Sequence, residues 1–212
     1  ALKYIEHLPD QDYHIMLLKA VCYSQANLSA QAIKFYEDCL KEKNNLKVKK
    51  QLLNCLKKSH MWTKAADILK ELAIDDPKNE IKYLHQQAEY LIKGNKESEA
   101  LDLLYKIIYL QPNDQQSIRA IVWCNLKIRE PQKALRYWDK ISEKKAEDWL
   151  NKGHIHWAML QEGEAFTCYN KYFELMPDKD KAKSLFLEDA LMLAAYGIDR
   201  TSISLMLQAI GV

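Results

Sequence analysis

Residues 146–177 read AEDWLNKGHIHWAMLQEGEAFTCYNKYFELMP. Two antiparallel helices pack closely only where one of them presents a small side chain, and Gly153 and Ala165 supply it here. Trp149, His156, Trp157 and Tyr169 are large rings placed to fill the adjoining holes. Pro177 stops the second helix, because proline lacks an N–H and clashes with the turn before it. The stretch therefore reads as one complete helical hairpin.

The same frame recurs upstream. Ala32, Ala65, Ala100, Ala134 and Ala165 follow one another at intervals of 33, 35, 34 and 31 residues. Pro9 and Pro77 are 68 apart, and Pro77 and Pro112 are 35 apart. First helices carry related patterns, Met16-x-x-Lys19-Ala20-x-x-Tyr23 and Leu84-x-x-Gln87-Ala88-x-x-Leu91. A hairpin repeated at about 34 residues is the period of a helical array whose units bury their faces only by stacking.

On these residues the chain resembles the tetratricopeptide repeat (TPR) family. Trp149 stands in the aromatic slot that opens the first helix, Gly153 in the small slot, His156 and Trp157 over the next aromatic slot, and Ala165, Tyr169 and Pro177 in the slots of the second helix. The second repeat departs from the pattern, with Lys49 in the opening aromatic slot and Leu53 in the small slot. The fourth offers Val122 or Trp123 there, lacks a closing proline and runs three residues short. The resemblance implies an all-α fold, a right-handed α-α superhelix (solenoid) of helix-turn-helix repeats, as a single array over 1–212. Residues 1–10 are expected to be the end of a preceding repeat, 11–177 five repeats, and 178–212 a C-terminal capping hairpin. In that hairpin Asp180–Tyr196 forms one helix, closed by Gly197, and Thr201–Ile210 the last. Ile203, Leu205, Met206, Leu207 and Ile210 surround the last helix, so either the preceding repeat covers them or an apolar patch faces solvent.

Composition narrows the function classes. The 212 residues carry 31 basic and 29 acidic side chains, net +2, which gives no global drive toward nucleic acid or anionic membrane. No apolar run approaches the roughly 20 residues that span a bilayer. The chain opens on Ala1 without an initiating Met and reads as a processed product or a fragment of a longer protein. Cys22, Cys39, Cys55, Cys124 and Cys168 are odd in number and lack metal-ligand spacing; they read as small packed side chains and fit a reducing compartment such as the cytoplasm. His154 and His156 point about 200° apart on a helix, so they do not share a metal. There is no nucleophile elbow, phosphate loop or H-E-x-x-H, and no catalytic residue, metal or cofactor is expected.

The family resemblance puts the ligand groove on the concave wall of first helices. Positions opposite the packing slots are Lys47, Lys50, Asn54, Lys57 and Lys58 in the second repeat, His85, Glu89 and Lys93 in the third, Arg119 and Trp123 in the fourth, and Leu150, His154 and Trp157 in the fifth. Between Lys41 and Lys58 Glu42 is the only acid, so the groove is expected to run from basic to aromatic and to hold a protein or peptide ligand with an acidic segment. Lys50 and Asn54 match the first two positions of the carboxylate clamp of chaperone-binding members, but Gln86, and Gln116 with Ala120 or Ser117 with Ile121, depart from the rest. The competing reading is a homo-oligomer, self-associating around Met206 and Leu207 of the final hairpin or through the N-terminal edge of the array. Nucleic-acid binding by the lysine stripe is disfavoured, because no base-stacking aromatics interleave with it.

Overall fold

The computed structural model describes residues 2–5, 7–9 and 12–212. The boundary expected between residues 10 and 11 lies outside the described residues. Every element is helical: α1 (Leu2–Ile5), α2 (Tyr13–Gln25), α3 (Ser29–Glu42), α4 (Leu46–Lys58), α5 (Trp62–Asp75), α6 (Glu80–Lys93), α7 (Glu97–Leu110), α8 (Gln115–Lys127), α9 (Pro131–Trp138), α10 (Ala146–Ala158), α11 (Glu162–Leu175), α12 (Lys179–Ala190) and α13 (Arg200–Ile210), with short 3-10 segments at Pro77–Asn79 and Leu191–Tyr196. From α2 onward the helices pack in sequential pairs. The chain divides into two compact units, 1–103 and 104–212.

One turn geometry joins the two helices of each of the five pairs from α2–α3 to α10–α11. Asn27, His60, Asn95, Arg129 and Leu160 all lie in the left-handed region, at φ 58°, 54°, 56°, 64° and 61°. Each stands five residues before one of the spaced alanines. In each turn the left-handed residue's N–H donates three residues back, as from Leu160 to the Trp157 carbonyl at 2.8 Å, and the next N–H donates five back, as from Gln161 to the His156 carbonyl at 2.9 Å. This is the Schellman arrangement, which satisfies carbonyls that a helix end would leave orphaned. First helices start differently: the side chains of Asp12, Asn45, Asp114 and Asp178 accept from backbone N–H groups at the starts of α2, α4, α8 and α12.

All five alanines are fully buried, as small side chains at helix crossings must be. In the first unit the rings of Tyr23 and Phe35 stack at 5.7 Å. Lys49, in the slot where an aromatic was expected, is 5% exposed and lies 2.7 Å from both Glu71 and Asp75, so its charge is matched inside the packing.

The second unit has two apolar clusters. One joins Ile118, Val122, Leu126, Ala134, Trp138, Ile141 and Ile155 of α8–α10. The other is centred on Tyr169, Tyr172, Phe173 and Phe186 and extends to Ile203 and Leu207 of α13. The last hairpin thus differs from its two simplest readings. Ile203, Met206 and Leu207 are covered, whereas Leu205 is 60% exposed.

Candidate functional site

The face of α4 is the most coherent part of the expected groove. Asn45 fixes the start of the helix by accepting from the N–H groups of Lys47 and Val48 at 2.9 and 3.3 Å. Helical period then turns Val48, Leu52, Leu53, Cys55 and Leu56 inward and Lys47, Lys50, Asn54, Lys57 and Lys58 outward, and all five of the latter are exposed. The helix contains no acidic residue.

Helix α6 completes a shallow cleft of about 270 Å³ beside this stripe. Its walls are Lys50 and Asn54 on one side and Asn79, Lys82, Tyr83 and Gln86 on the other, over Leu53 and Leu72. Asp76 organises one end. It accepts from the Tyr83 hydroxyl at 3.0 Å and the Asn79 amide at 3.0 Å, and the Lys50 ammonium stands 3.4 Å away. The Tyr83 hydroxyl, with Asn79 and Lys50, holds the Asp76 carboxyl below the usual carboxylate range. Lys82 and the three amide side chains leave the cleft rich in donors above an apolar floor. Asn79, Lys82, Tyr83 and Gln86 escaped the sequence reading as a set, although their i, i+3, i+4, i+7 spacing could have revealed it.

His85 is half-buried. Glu89 is exposed and paired with Lys93 at 2.5 Å, and the Lys93 ammonium also sits over the rings of Trp62 and Tyr90 at 5.2 and 5.7 Å. These side chains hold one another.

The expected anchors of the fourth and fifth repeats are placed otherwise. His154 and Trp157 are 0% and 3% exposed, and Leu150 is 3% exposed: all three are core, and only an edge of Trp157 reaches a surface cleft, shared with Phe166 and Met206. The reason is that α12 and α13 pack over α10 and α11. His154 Nδ1 lies 2.8 Å from the Tyr169 hydroxyl, with the Phe186 ring 5.7 Å off. Burial pushes the His154 imidazole down to about 3, so it is neutral. His156 instead pairs its Nδ1 with the Gln161 side chain at 2.7 Å.

Arg119 is half-buried and spent internally. Its Nε donates to both carboxylate oxygens of Asp148 at 2.9 and 3.1 Å, and its Nη2 to the Glu143 carbonyl at 2.7 Å. Trp123 alone of the second-unit anchors stays half-exposed without such a commitment. Among the described residues no three His, Cys, Asp or Glu side chains gather as a metal-ligand set, and no helix is long and apolar enough to cross a membrane. The five cysteines are free thiols.

Sequential helix pairs, small residues at each crossing and a left-handed residue in each turn define the tetratricopeptide-repeat fold. Solved TPR structures superpose on the chain. YrrB, described as a TPR protein with an unusual peptide-binding site, has a TM-score of 0.59 at 19% identity, over 86% of this chain and 95% of that one. A TPR protein from Parabacteroides merdae has a TM-score of 0.63 at 15% identity, over 86% and 73%. MamA has 0.59 at 17%, over 81% and 93%. No family model and no curated protein matches the sequence.

Proposed function

We propose that this chain is a non-catalytic protein-interaction module and that the α4–α6 face takes up a peptide bearing acidic residues. One observation carries the reading: the exposed stripe Lys47, Lys50, Lys57 on a helix without acids, flanked by the donor-lined cleft of Lys50, Asn54, Lys82 and Gln86. Carboxylates of an extended segment pair with the lysines by charge-assisted hydrogen bonds. YrrB, with the same fold, has a peptide-binding site, which makes this use of the fold a natural one. Grooves of this kind bind at about micromolar strength, about −8 kcal/mol.

The test is a pull-down from source-cell extract read by mass spectrometry, with the native chain and with a variant carrying Lys47→Glu, Lys50→Glu and Lys57→Glu as baits. Equal helicity of the two baits is checked first by circular dichroism. A partner lost with the variant, and lost from the native bait as salt rises, supports the reading. Partners retained equally by both baits overturn it.

A second reading, self-association through the last hairpin, is favoured by Leu205. This exposed side chain stands beside a cleft of about 400 Å³ lined by Trp157, Phe166, Met206 and Ala209. Knob and hole lie on one patch, which is what a two-fold contact requires. Concentration-dependent mass in light scattering, abolished by Leu205→Glu, supports it; a constant monomer mass rejects it.

A further inference from the structure

Helices α3 and α5 stand on either side of a cleft of about 560 Å³ that α4 closes from below. It shares no lining residue with the α4–α6 cleft. Its volume is in the range of sites that bind a ligand, and more than one side chain can enter it. Leu52 and Leu56 of α4 are buried beneath it. The apolar surface it offers comes from its two walls, Leu40 of α3 and Ile68 of α5, both half-buried.

The charges around this cleft do not balance. Lys64 of α5 crosses to Glu37 of α3 at 3.0 Å. Lys41 is held by Asp38 at 2.7 Å. Buried Lys49 lies 2.7 Å from both Glu71 and Asp75. Every lysine that lines the cleft is therefore already matched, and Lys49 is matched twice. Asp67 also lines the cleft and is exposed, yet its carboxylate makes no ion pair among the described residues. Five carboxylates thus stand against three lysines, a surplus of two negative charges. Asp67 and Glu71 are one turn apart on α5, a spacing at which like charges destabilise a helix. The sign is opposite to that of the outward stripe of α4, which carries only lysines.

We propose that the α3–α5 cleft is a second interaction site, and that its partner is a protein segment carrying an arginine or lysine beside an aliphatic residue. The long cationic side chain lays its methylenes along Leu40 and Ile68 and brings its charge to Asp67 and Glu71, where it relieves their repulsion. The aliphatic neighbour fills the remaining space between the walls. Charge selects this partner: an acidic or uncharged segment would strip water from Asp67 and return nothing for it. The first unit then sorts its partners by sign, with acidic segments on the α4–α6 face and basic ones between α3 and α5.

The probe is the fluorescein-labelled hexapeptide Leu-Arg-Leu-Arg-Leu-Arg, titrated by anisotropy against the whole chain and three variants. Asp67→Lys, at an exposed position, is expected to weaken binding at least about tenfold. Glu174→Lys makes the same charge change on α11 and is expected to alter the affinity by less than about twofold, since distant surface charges are screened. Ile68→Ser changes no charge and is expected to weaken binding about threefold or more by removing an aliphatic wall. No binding to the native chain, equal losses from Asp67→Lys and Glu174→Lys, or a native affinity for Ile68→Ser each overturns the proposal. If Ile68→Ser loses helicity, methyl NMR of the native chain decides: the Leu40 and Ile68 signals shift on adding peptide if the walls are covered, and unmoved signals reject the site.

Discussion

Gly153 lies beneath the ring of Tyr169: a Cβ added at residue 153 would stand 2.2 Å from Cε1 and 2.4 Å from Cδ1. The ring has nowhere to go. It is fully buried, edge-on to Phe186 at 4.9 Å and to Trp157 at 5.9 Å, and its hydroxyl is held by His154. Gly153→Ala is therefore expected to destabilise the protein by about 1–3 kcal/mol through overpacking, even though alanine favours a helix over glycine by about 1 kcal/mol. Thermal unfolding should fall by roughly 3–10 °C. Pairing it with Tyr169→Leu should recover part of the loss, a coupling that a helix-propensity effect would not show.

His154 and Asp189 make opposite contributions to stability as pH changes. The histidine's folded value is about 3, against 6.5 when solvated, so between these limits the unfolded chain binds the extra proton and stability falls as pH falls. The slope from this group alone is at most about 1.4 kcal/mol per pH unit. Asp189 is raised to about 6 by burial and by Glu188, against the opposing pull of Lys127. The folded chain binds its proton first, and stability gained below its unfolded value is lost as pH rises through about 6. Urea unfolding between pH 4 and 6.5 should show a shallower acid loss for His154→Gln and a steeper one for Asp189→Asn than for the native chain. Identical slopes in all three proteins would contradict the burial of both groups.

Leu160 occupies a left-handed turn position at φ 61° with its side chain 77% exposed. Cβ crowding there costs about 1–2 kcal/mol, and the larger unfolded entropy of glycine returns about 0.5–1 kcal/mol of it. Leu160→Gly should stabilise by about 0.5–1 kcal/mol, read as a higher urea midpoint at unchanged slope. Asn95→Gly, at the equivalent turn position with φ 56°, should gain less, because asparagine tolerates this conformation.

Asp148 is a nearly buried carboxylate whose charge is matched by Arg119. Arg119→Ala leaves it with the Lys145 N–H at 2.8 Å and is expected to cost about 2–4 kcal/mol. Arg119→Lys should restore little, since an ammonium cannot present the Nε and Nη2 donors at once. Both variants should leave peptide capture by the α4–α6 face intact. A selective loss of that capture, with stability unchanged, would return Arg119 to the role of a binding anchor.

The repeat was legible in the sequence because it is enforced locally. Ala32, Ala65, Ala100, Ala134 and Ala165 mark crossings too close for a larger side chain, and asparagine or aspartate opens most first helices. The outward stripe of α4 was legible for the same reason, since one helix's period fixes which of its residues turn away from the core. What single-helix period cannot tell is what lies on the far side. His154, Leu150 and Trp157 were expected in a groove, but α12 and α13 pack over them, and Arg119 found a carboxylate 29 residues away. The cleft of Lys50, Asn54, Lys82 and Gln86 needed α4 and α6 side by side, and the reach of Tyr196 to Leu126 needed α12 folded back toward α8. Spacing alone determined the hairpins and their small-residue crossings. Contacts between helices distant in the chain decided which polar and aromatic side chains remain free to meet a partner, because burial is a property of both surfaces and a sequence period describes only one.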